Sequence, residues 1–527
     1  DWSSDVCSSD LKMKQMKSYT IKEFTELIEK ESLLVESKLY GREMEYIENL
    51  TYNSKAACKN TLFICKGAKF KEEYVKEAVK AGSICYISEK KYDLEDQIPY
   101  IIVKDIRKAM PILADTFYNS PWEEFKLIGV GGTKGKTTSV YYIKAILDDY
   151  LKANQKNPSG IISSIDVYDG VVSKVSHITT PEAVELHSHF RNAADSNLDF
   201  LAMEISSQAL KYDRVDRVNF DVGVFLNISE DHISPVEHPD FEDYFQSKLS
   251  MFKQTKTAVV NMDADFAERI LEAAKAAQEI VTFSMHDKNA DFYAYDIIKD
   301  KKGTSFKVKC QQFDREFQLA MPGLFNLENA LAMIAVASKL NIPIEHIYSG
   351  IKNTHPKGRM EVYTSKDDTI VAIVDYAHNK LSFEKLFESV KEDYSDYEIV
   401  SVFGCPGQKA LNRRKYLGRI AGENSNRIIL TADEPAFEPV GDICNEIAQH
   451  IDPERTYEVI EDRTEAIKKA IKSAKGKTVI MIVGKGHETS QKIGNQYVDY
   501  PSDAVNALRF IEEYNAQVSY KSIVIKR

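Results

Sequence analysis

One stretch limits the possible folds more than any other: Gly129-Val-Gly-Gly-Thr-Lys-Gly-Lys-Thr-Thr138. It follows the apolar run Lys126–Val130 and leads into a helical pattern over Ser139–Tyr150. A glycine-rich turn between a strand and a helix points backbone N–H groups inward, and the helix N-terminus adds partial positive charge. Such a turn suits a phosphate group. Lys136 is placed to reach the outer phosphates, and a hydroxyl of Thr137 or Thr138 to ligate Mg²⁺. The spacing GxxxxGK[ST] asks for glycine at 130, where the chain has valine. The match is instead to the variant Gly132-Thr133-Lys134-Gly135-Lys136-Thr137-Thr138. Alone, the loop predicts a nucleotide and leaves the reaction open.

The loop needs a parallel sheet behind it, and the flanking sequence supplies the pattern. Strand-like runs at Phe200–Ile205, Val222–Leu226 and Thr257–Asn261 alternate with helical segments, which predicts a sheet covered on both faces. Around 291–320 the pattern turns antiparallel, with Phe306–Cys310 and Phe317–Ala320, and an apolar helix over Asn326–Leu340 closes the region. A second alternating unit follows His355-Pro-Lys-Gly358. Its strands are expected at Ile370–Asp375, Ile399–Phe403, Arg427–Thr431 and Thr478–Val483, and its helices at Lys380–Asp393, Lys415–Asn424, Asp442–His450 and Arg463–Ala474. Before the loop, Thr61–Cys65 and Ser83–Ser88 read as strands around a helix over Tyr74–Ala81, and Asn119-Ser-Pro121 as a turn. The chain has 527 residues, room for about three domains. We expect a foreign or disordered tail over 1–17, then domains over 18–120, 121–355 and 356–527.

Lys and Arg number 69 against 80 Asp and Glu, a net charge of −11. That balance argues against a general nucleic-acid or anionic-membrane binder. Apolar stretches such as Ala330–Ala337 fall far short of the roughly 20 residues of a membrane span. The seven cysteines form no CxxC pair, as expected of reduced thiols in a cytoplasmic protein without a zinc framework.

Three further positions invite a chemical reading. Glu204, at the end of the Phe200–Ile205 run, lies where ligands bind in open α/β sheets and offers oxygen to Mg²⁺. His232, in Asn227-Ile-Ser-Glu-Asp-His232, follows the next strand. Lys248 sits among apolar neighbours in Tyr244–Phe252 and by pattern alone is a surface lysine that snorkels. His187 and His189 point to different helix faces, so we expect solvated surface there rather than a metal site.

Together with Thr179-Thr-Pro-Glu182, Met203-Glu-Ile-Ser-Ser207, Asn227, Asp231-His232, Gly323-Leu-Phe-Asn326, Gly358-Arg-Met-Glu361, Asp375-Tyr-Ala-His378, Asp433-Glu-Pro435 and Gly484-Lys-Gly-His-Glu488, the chain resembles the Mur ligase family. The resemblance is to the branch that adds the third amino acid to UDP-N-acetylmuramoyl-L-alanyl-D-glutamate. It spans about residues 37–505 in family order.

It implies an α/β three-domain Mur ligase architecture: an N-terminal UDP-sugar-binding domain, a central P-loop parallel-sheet ATPase domain and a Rossmann-like C-terminal domain that binds the amino acid. It implies ATP on Gly132–Thr138, with Asn326 at the adenine and Arg359 and Asp375 at the ribose and phosphates. Thr137, Glu204 and His232 would hold Mg²⁺. Lys248 matches a lysine that carries CO₂ as a carbamate. Lys136, Lys248, His232 and Glu204 form the implied catalytic set. Ser54, Thr179, Thr180 and Ser206 would meet the UDP-N-acetylmuramoyl dipeptide. The implied reaction phosphorylates the D-glutamyl carboxylate, and a free amino acid captures the acyl phosphate, in a cytoplasmic monomer.

The chain departs from the family pattern at Gln208, where many relatives have His, and at Asn379-Lys380, which replace Thr-Pro. Where diaminopimelate-adding members read Asp-Asn-Pro-Arg, this chain reads Asp433-Glu434-Pro435-Ala436. An arginine fork suits a carboxylate; Ala436 lacks it and Glu434 adds negative charge. L-lysine is therefore the expected acceptor, received by Asp433, Glu434, Gly484 and Glu488, with diaminopimelate and ornithine as alternatives. Folylpolyglutamate and cyanophycin synthetases, a phosphate-loop switch, and a nucleotide-binding paralogue without the activity are the rival readings.

Overall fold

The computed structural model describes residues 17–525, apart from 68, 69, 95, 96, 177, 234–236, 301 and 302. Except for Lys17, the tail expected at the N-terminus lies outside the described residues. Three main sheets organise the rest. A five-stranded sheet runs Leu34–Lys38, Tyr100–Val103, Ser83–Ser88, Thr61–Ile64, Asn49–Thr51 in spatial order, parallel except at its first pair. An eleven-stranded sheet follows in the chain, then a six-stranded one.

The eleven-stranded sheet has a parallel heart in the order Gly160–Ile162, Phe200–Glu204, Lys126–Gly131, Phe220–Phe225, Thr255–Asn261, Glu279–Ser284, Phe292–Asp300. Antiparallel strands extend both edges: Asp166–Tyr168 and Ser173–Val175 on one side, Gly303–Lys309 and Asp314–Leu319 on the other. Alternation along the strands explains the two-faced cover. Ile128 and Val130 enter one apolar cluster with the helices Lys136–Ala153 and Leu324–Lys339, while Leu127 enters another with the helix Ala183–Asp195. A period of two sends neighbours to opposite faces, so a strand buried on both sides reads as a continuous apolar run.

The six-stranded sheet orders Glu361–Thr364, Ile370–Asp375, Thr478–Val483, Glu398–Phe403, Arg427–Leu430, Thr456–Val459, and only its first pair is antiparallel. The strands Ser83–Ser88, Ile370–Asp375 and Thr478–Val483 and the helix Lys380–Asp393 have the expected ends. The expected turn at Asn119 is a helix stop, with Asn119 left-handed at φ 64° closing the helix Ile106–Tyr118. Asn379 caps Lys380–Asp393, its side-chain oxygen accepting from the Ser382 N–H at 3.2 Å. The helix after the phosphate loop begins at Lys136, three residues before the expected start, because the loop's own lysine and threonines form its first turn.

The solvated surface expected at His187 and His189 is not there. Both rings are buried, His187 bonding its own helix at Ala183 O (2.9 Å) and His189 pairing with buried Asp169 at 2.6 Å. The helix Ala183–Asp195 is sandwiched between the central sheet and the helix Ile106–Tyr118, so it has little free face.

Candidate functional site

The glycine-rich loop leaves the strand Lys126–Gly131 at the middle of the parallel heart, with Phe200–Glu204 and Phe220–Phe225 as neighbours. Gly132 and Gly135 have φ of 144° and 83°, a region open to glycine but costly for other residues. Gly135 has a second reason to be glycine: a Cβ there would lie 2.1 Å from the Asn329 side-chain oxygen. Asn227, at the end of the next strand, holds the loop with three bonds. Its side chain accepts from Lys134 N (2.9 Å) and donates to Lys134 O (3.2 Å), and its carbonyl accepts from Thr133 N (3.0 Å).

Three lysines converge here. Lys136 Nζ donates to Gly132 O and Thr133 O at 3.0 and 3.1 Å, and Lys248 Nζ donates to the same Gly132 O at 2.8 Å. Lys134 Nζ lies 3.3 Å from Asp231. Lys248 is buried on the helix Phe241–Leu249, so the snorkelling reading of its pattern is wrong. The apolar neighbours seen in the sequence enclose it instead of lining its exit. Burial, reinforced by Lys136, pulls its ammonium well below the ordinary lysine range. Burial lowers Lys136 as well, and brings Lys134 down to about 8 despite the opposing pull of Asp231.

Glu204 ends its strand almost fully buried. It accepts from the Thr137 hydroxyl at 2.9 Å and from Ser164 N at 2.8 Å, and Ser164 Oγ lies 3.0 Å from Thr137 Oγ1. These oxygens are the donor type that Mg²⁺ prefers. His232 stands apart from them, with φ 57° and its ring bonded to Glu237 at 2.9 Å. Glu237 also takes Gln208, one of the departures, at 2.9 Å. Among the described residues no group of three His, Cys, Asp or Glu side chains is gathered at metal-holding distance.

On the far side of Glu204, the Thr180 hydroxyl donates to Glu204 O (2.9 Å) and accepts from Ser206 N (3.0 Å), while Ser206 Oγ caps the helix Ser207–Lys211. Thr179 is half-buried next to Thr180. Arg214 was not singled out in the sequence. It bonds Thr180 O at 3.2 Å and pairs with Glu182 at 2.9 Å, and its buried Nε has no partner. Glu182 also pairs at 2.6 Å with Lys66, which follows the strand Thr61–Ile64 of the five-stranded sheet and brings that sheet's end to the crevice. Ser54 is on the same sheet's side, its hydroxyl on Glu77 at 2.7 Å. Asn326 lies in the first turn of the helix Leu324–Lys339. Its amide donates to Pro322 O at 2.6 Å, and its buried side-chain oxygen has no partner.

The six-stranded sheet closes the crevice from the other side. Arg359 Nη2 donates to Thr137 Oγ1 at 3.4 Å, and its guanidinium lies 4.5 Å over the Tyr376 ring. Asp375 ends its strand accepting from Met360 N (2.8 Å) and Ala377 N (2.7 Å), and burial raises its carboxyl despite Arg359. Beside it lies a charged cluster of opposite character. Buried Lys485 pairs with Glu488 at 2.5 Å and lies 3.9 Å from both Asp433 and Glu434, while Lys409 reaches Glu434 at 3.3 Å. Burial raises Glu488, with Lys485 opposing and Asp433 and Glu434 reinforcing. Gly484, at φ 115°, keeps its backbone beside Asp433, where a Cβ would stand 3.3 Å from the carboxylate.

Comparison with known proteins gives this arrangement a family context. Residues 130–337 match the model of the Mur ligase middle domain, and residues 358–486 that of the Mur ligase glutamate ligase domain. The chain is 39% identical over 466 residues to the UDP-N-acetylmuramoyl-L-alanyl-D-glutamate–L-lysine ligase of Streptococcus pyogenes serotype M2 (strain MGAS10270), covering 88% of this chain and 93% of that protein. Its fold is similar to a solved UDP-N-acetylmuramoyl-L-alanyl-D-glutamate–2,6-diaminopimelate ligase (TM-score 0.62, 23% identity, 94% of this chain and 99% of that one). It is also similar to the MurF ligase of Thermotoga maritima in complex with ADP (TM-score 0.58, 17% identity, 89% and 98%).

Proposed function

The chain belongs to the Mur ligase family, and from that premise we propose that it is the ATP-dependent ligase that joins L-lysine to UDP-N-acetylmuramoyl-L-alanyl-D-glutamate in peptidoglycan precursor synthesis. The single observation that carries the reading is the contact of Arg359 with Thr137, which sets the anionic pocket of the C-terminal sheet against the phosphate loop. A phosphoryl donor and a cationic amine then meet in one crevice. We read the three sheets as three lobes divided near 120 and 355, with the UDP-sugar on the first. The compartment is the cytoplasm and the working unit a monomer. Among the described residues no helix is long and apolar enough to cross a membrane.

A carboxylate is a poor electrophile, so the D-glutamyl carboxylate first takes the γ-phosphoryl group of ATP. The acceptor amine then attacks the acyl phosphate, and phosphate leaves. Charge builds on the phosphoryl oxygens, so positioned cations lower the barrier. Lys136 must let go of two carbonyls to bind phosphate, an exchange favoured by the greater charge of its new partner. Arg359 adds a bidentate donor from the closing lobe. Mg²⁺ would supply further positive charge; Glu204 and Thr137 are placed to hold it, and His232, bonded to Glu237 in this structure, would have to turn from that carboxylate to join them.

Asn326 offers its orphaned oxygen to the adenine amino group. Arg214 offers its orphaned N–H to an anionic group of the muramyl peptide, beside Thr179, Thr180 and Ser206. Burial beside Lys136 disfavours the ammonium of Lys248 and so favours the amine form that adds CO₂; its carbamate would carry the opposite charge. Asp433, Glu434 and Glu488 receive the ε-ammonium of lysine; Ser54 faces the uridine end.

Substrate labelled with ¹⁸O in the D-glutamyl carboxylate tests the reading. Inorganic phosphate carrying one labelled oxygen is expected in step with amide product; product with unlabelled phosphate would refute the acyl phosphate.

A further inference from the structure

Asp231 is a carboxylate the proposed mechanism does not use, yet it lies where two lobes meet. Its Oδ2 accepts from Lys134 Nζ of the phosphate loop at 3.3 Å and from Asn379 Nδ2 of the C-terminal lobe at 2.7 Å. Its other oxygen accepts from His232 N at 3.1 Å. The side chain is nearly buried, so its charge is answered by these donors rather than by water. Asn379 in turn does two jobs with one amide. The oxygen caps the helix Lys380–Asp393 through Ser382 N, and the nitrogen crosses to Asp231. A serine or threonine hydroxyl at 379 can cap but is too short to do both.

We infer that Asp231 is a positioning residue that couples occupancy of the phosphate loop to seating of the C-terminal lobe. One carboxylate oxygen is shared between a cation of the loop and an amide of the lobe. A nucleotide phosphate entering the loop competes with Asp231 for Lys134. As Lys134 turns to the phosphate, less of the Asp231 charge is answered from the loop, and its bond to Asn379, a charge-assisted one, strengthens. Loading the loop thus draws the lobe that carries the acceptor pocket onto the central sheet. This inference rests on the ligase reading only for its consequence in turnover; the coupling itself concerns nucleotide and lobe closure.

The substitution Asn379→Asp separates cap from latch. Aspartate caps as well as asparagine, but it lacks the amide N–H and sets a second negative charge against Asp231. The expected result is a thermal midpoint within about 2 °C of the parent and a kcat lowered at least about tenfold. KM for ATP should move much less, and the compaction caused by a non-hydrolysable ATP analogue should vanish from small-angle X-ray scattering. Asn379→Ser, which keeps a cap without the amide, should lose compaction to a smaller degree. The exchanged pair Asp231→Asn with Asn379→Asp restores a donor and an acceptor across the gap but leaves Lys134 no carboxylate to release, so it should recover most of kcat while compaction by the analogue stays lost. Parental compaction and kcat in Asn379→Asp, or an exchanged pair with a kcat no better than that single variant, would overturn the coupling. If the parent makes no amide with any acceptor, the ligase reading fails, while the scattering still decides the coupling.

Discussion

The phosphate loop and the cluster of Asp433, Glu434 and Glu488 are both partly buried and are charged in opposite senses. Around the loop, Lys134, Lys136 and Lys248 crowd together, and burial pulls all three below the ordinary lysine range. In the pocket, Asp433, Glu434 and Glu488 surround one buried lysine, and burial lifts Glu488 above the ordinary carboxylate range. Each region carries a charge its own residues do not balance, and each is relieved by the ligand proposed for it: an anionic triphosphate in one, an ammonium in the other. Keeping the two apart, with Arg359 and Asp375 between them, prevents the lysines and carboxylates from neutralising one another. Like charges held close in low dielectric are unfavourable, so the unloaded site is electrostatically poised for its substrates.

That contrast can be broken most severely at the loop. Lys136→Ala should lower kcat by about a thousandfold or more with the fold intact, as read by circular dichroism, since its Nζ bonds only loop carbonyls in this structure. Lys248→Ala should lower kcat by about a hundredfold, and added bicarbonate should not restore it; parental turnover would remove Lys248 from the mechanism. On the pocket side, Glu434→Asn removes one of three carboxylates and should lower kcat/KM for lysine about tenfold, with kcat/KM for ATP little changed.

The smallest effects are in the pH dependence of stability, and they run in opposite directions. Lys134, lowered to about 8 when folded, binds fewer protons in the native state than in the unfolded state between about 8 and its ordinary value. Its contribution to stability therefore rises with pH across that window. Glu488, raised when folded, binds more protons in the native state above its ordinary value, so its contribution falls as pH climbs through that range. Lys134→Met and Glu488→Gln should each flatten the slope in its own window of a urea-denaturation series, and leave the other window unchanged.

The loop side was largely legible in the sequence because its signals are local: glycines, a lysine and threonines within one turn, and a carboxylate at a strand end. The centre of the parallel heart, Lys126–Gly131, Phe200–Glu204, Phe220–Phe225 and Thr255–Asn261, was legible because a strand buried on both faces writes itself as an unbroken apolar run; Gly160–Ile162 and Glu279–Ser284 were missed, and Phe292–Asp300, in the stretch read as antiparallel, pairs in parallel with Glu279–Ser284. What stayed hidden depends on residues far apart in the chain. Lys248 read as a surface residue because the acceptor that its ammonium meets, Gly132 O, lies more than a hundred positions away. His187 and His189 read as solvated because nothing local announces that a helix is covered on two sides. Arg214 and Asn329 gave no signal, as an arginine in the turn after a short helix and an asparagine in an apolar helix are ordinary until the Thr180 turn and the loop are placed against them. Asn379 was visible as a departure, but its partner Asp231 belongs to another lobe.

In the proposed reaction a nucleotide-activated carboxyl group is captured by an amino acid whose side chain is cationic. This capture is tested most directly by incubating the protein with ATP, Mg²⁺, UDP-N-acetylmuramoyl-L-alanyl-D-glutamate and an equimolar mixture of L-lysine, L-ornithine and meso-diaminopimelate, and weighing the products by mass spectrometry. The lysine adduct is expected as the dominant product, formed one for one with ADP. A dominant diaminopimelate adduct, or ADP released with no adduct of any kind, would contradict it.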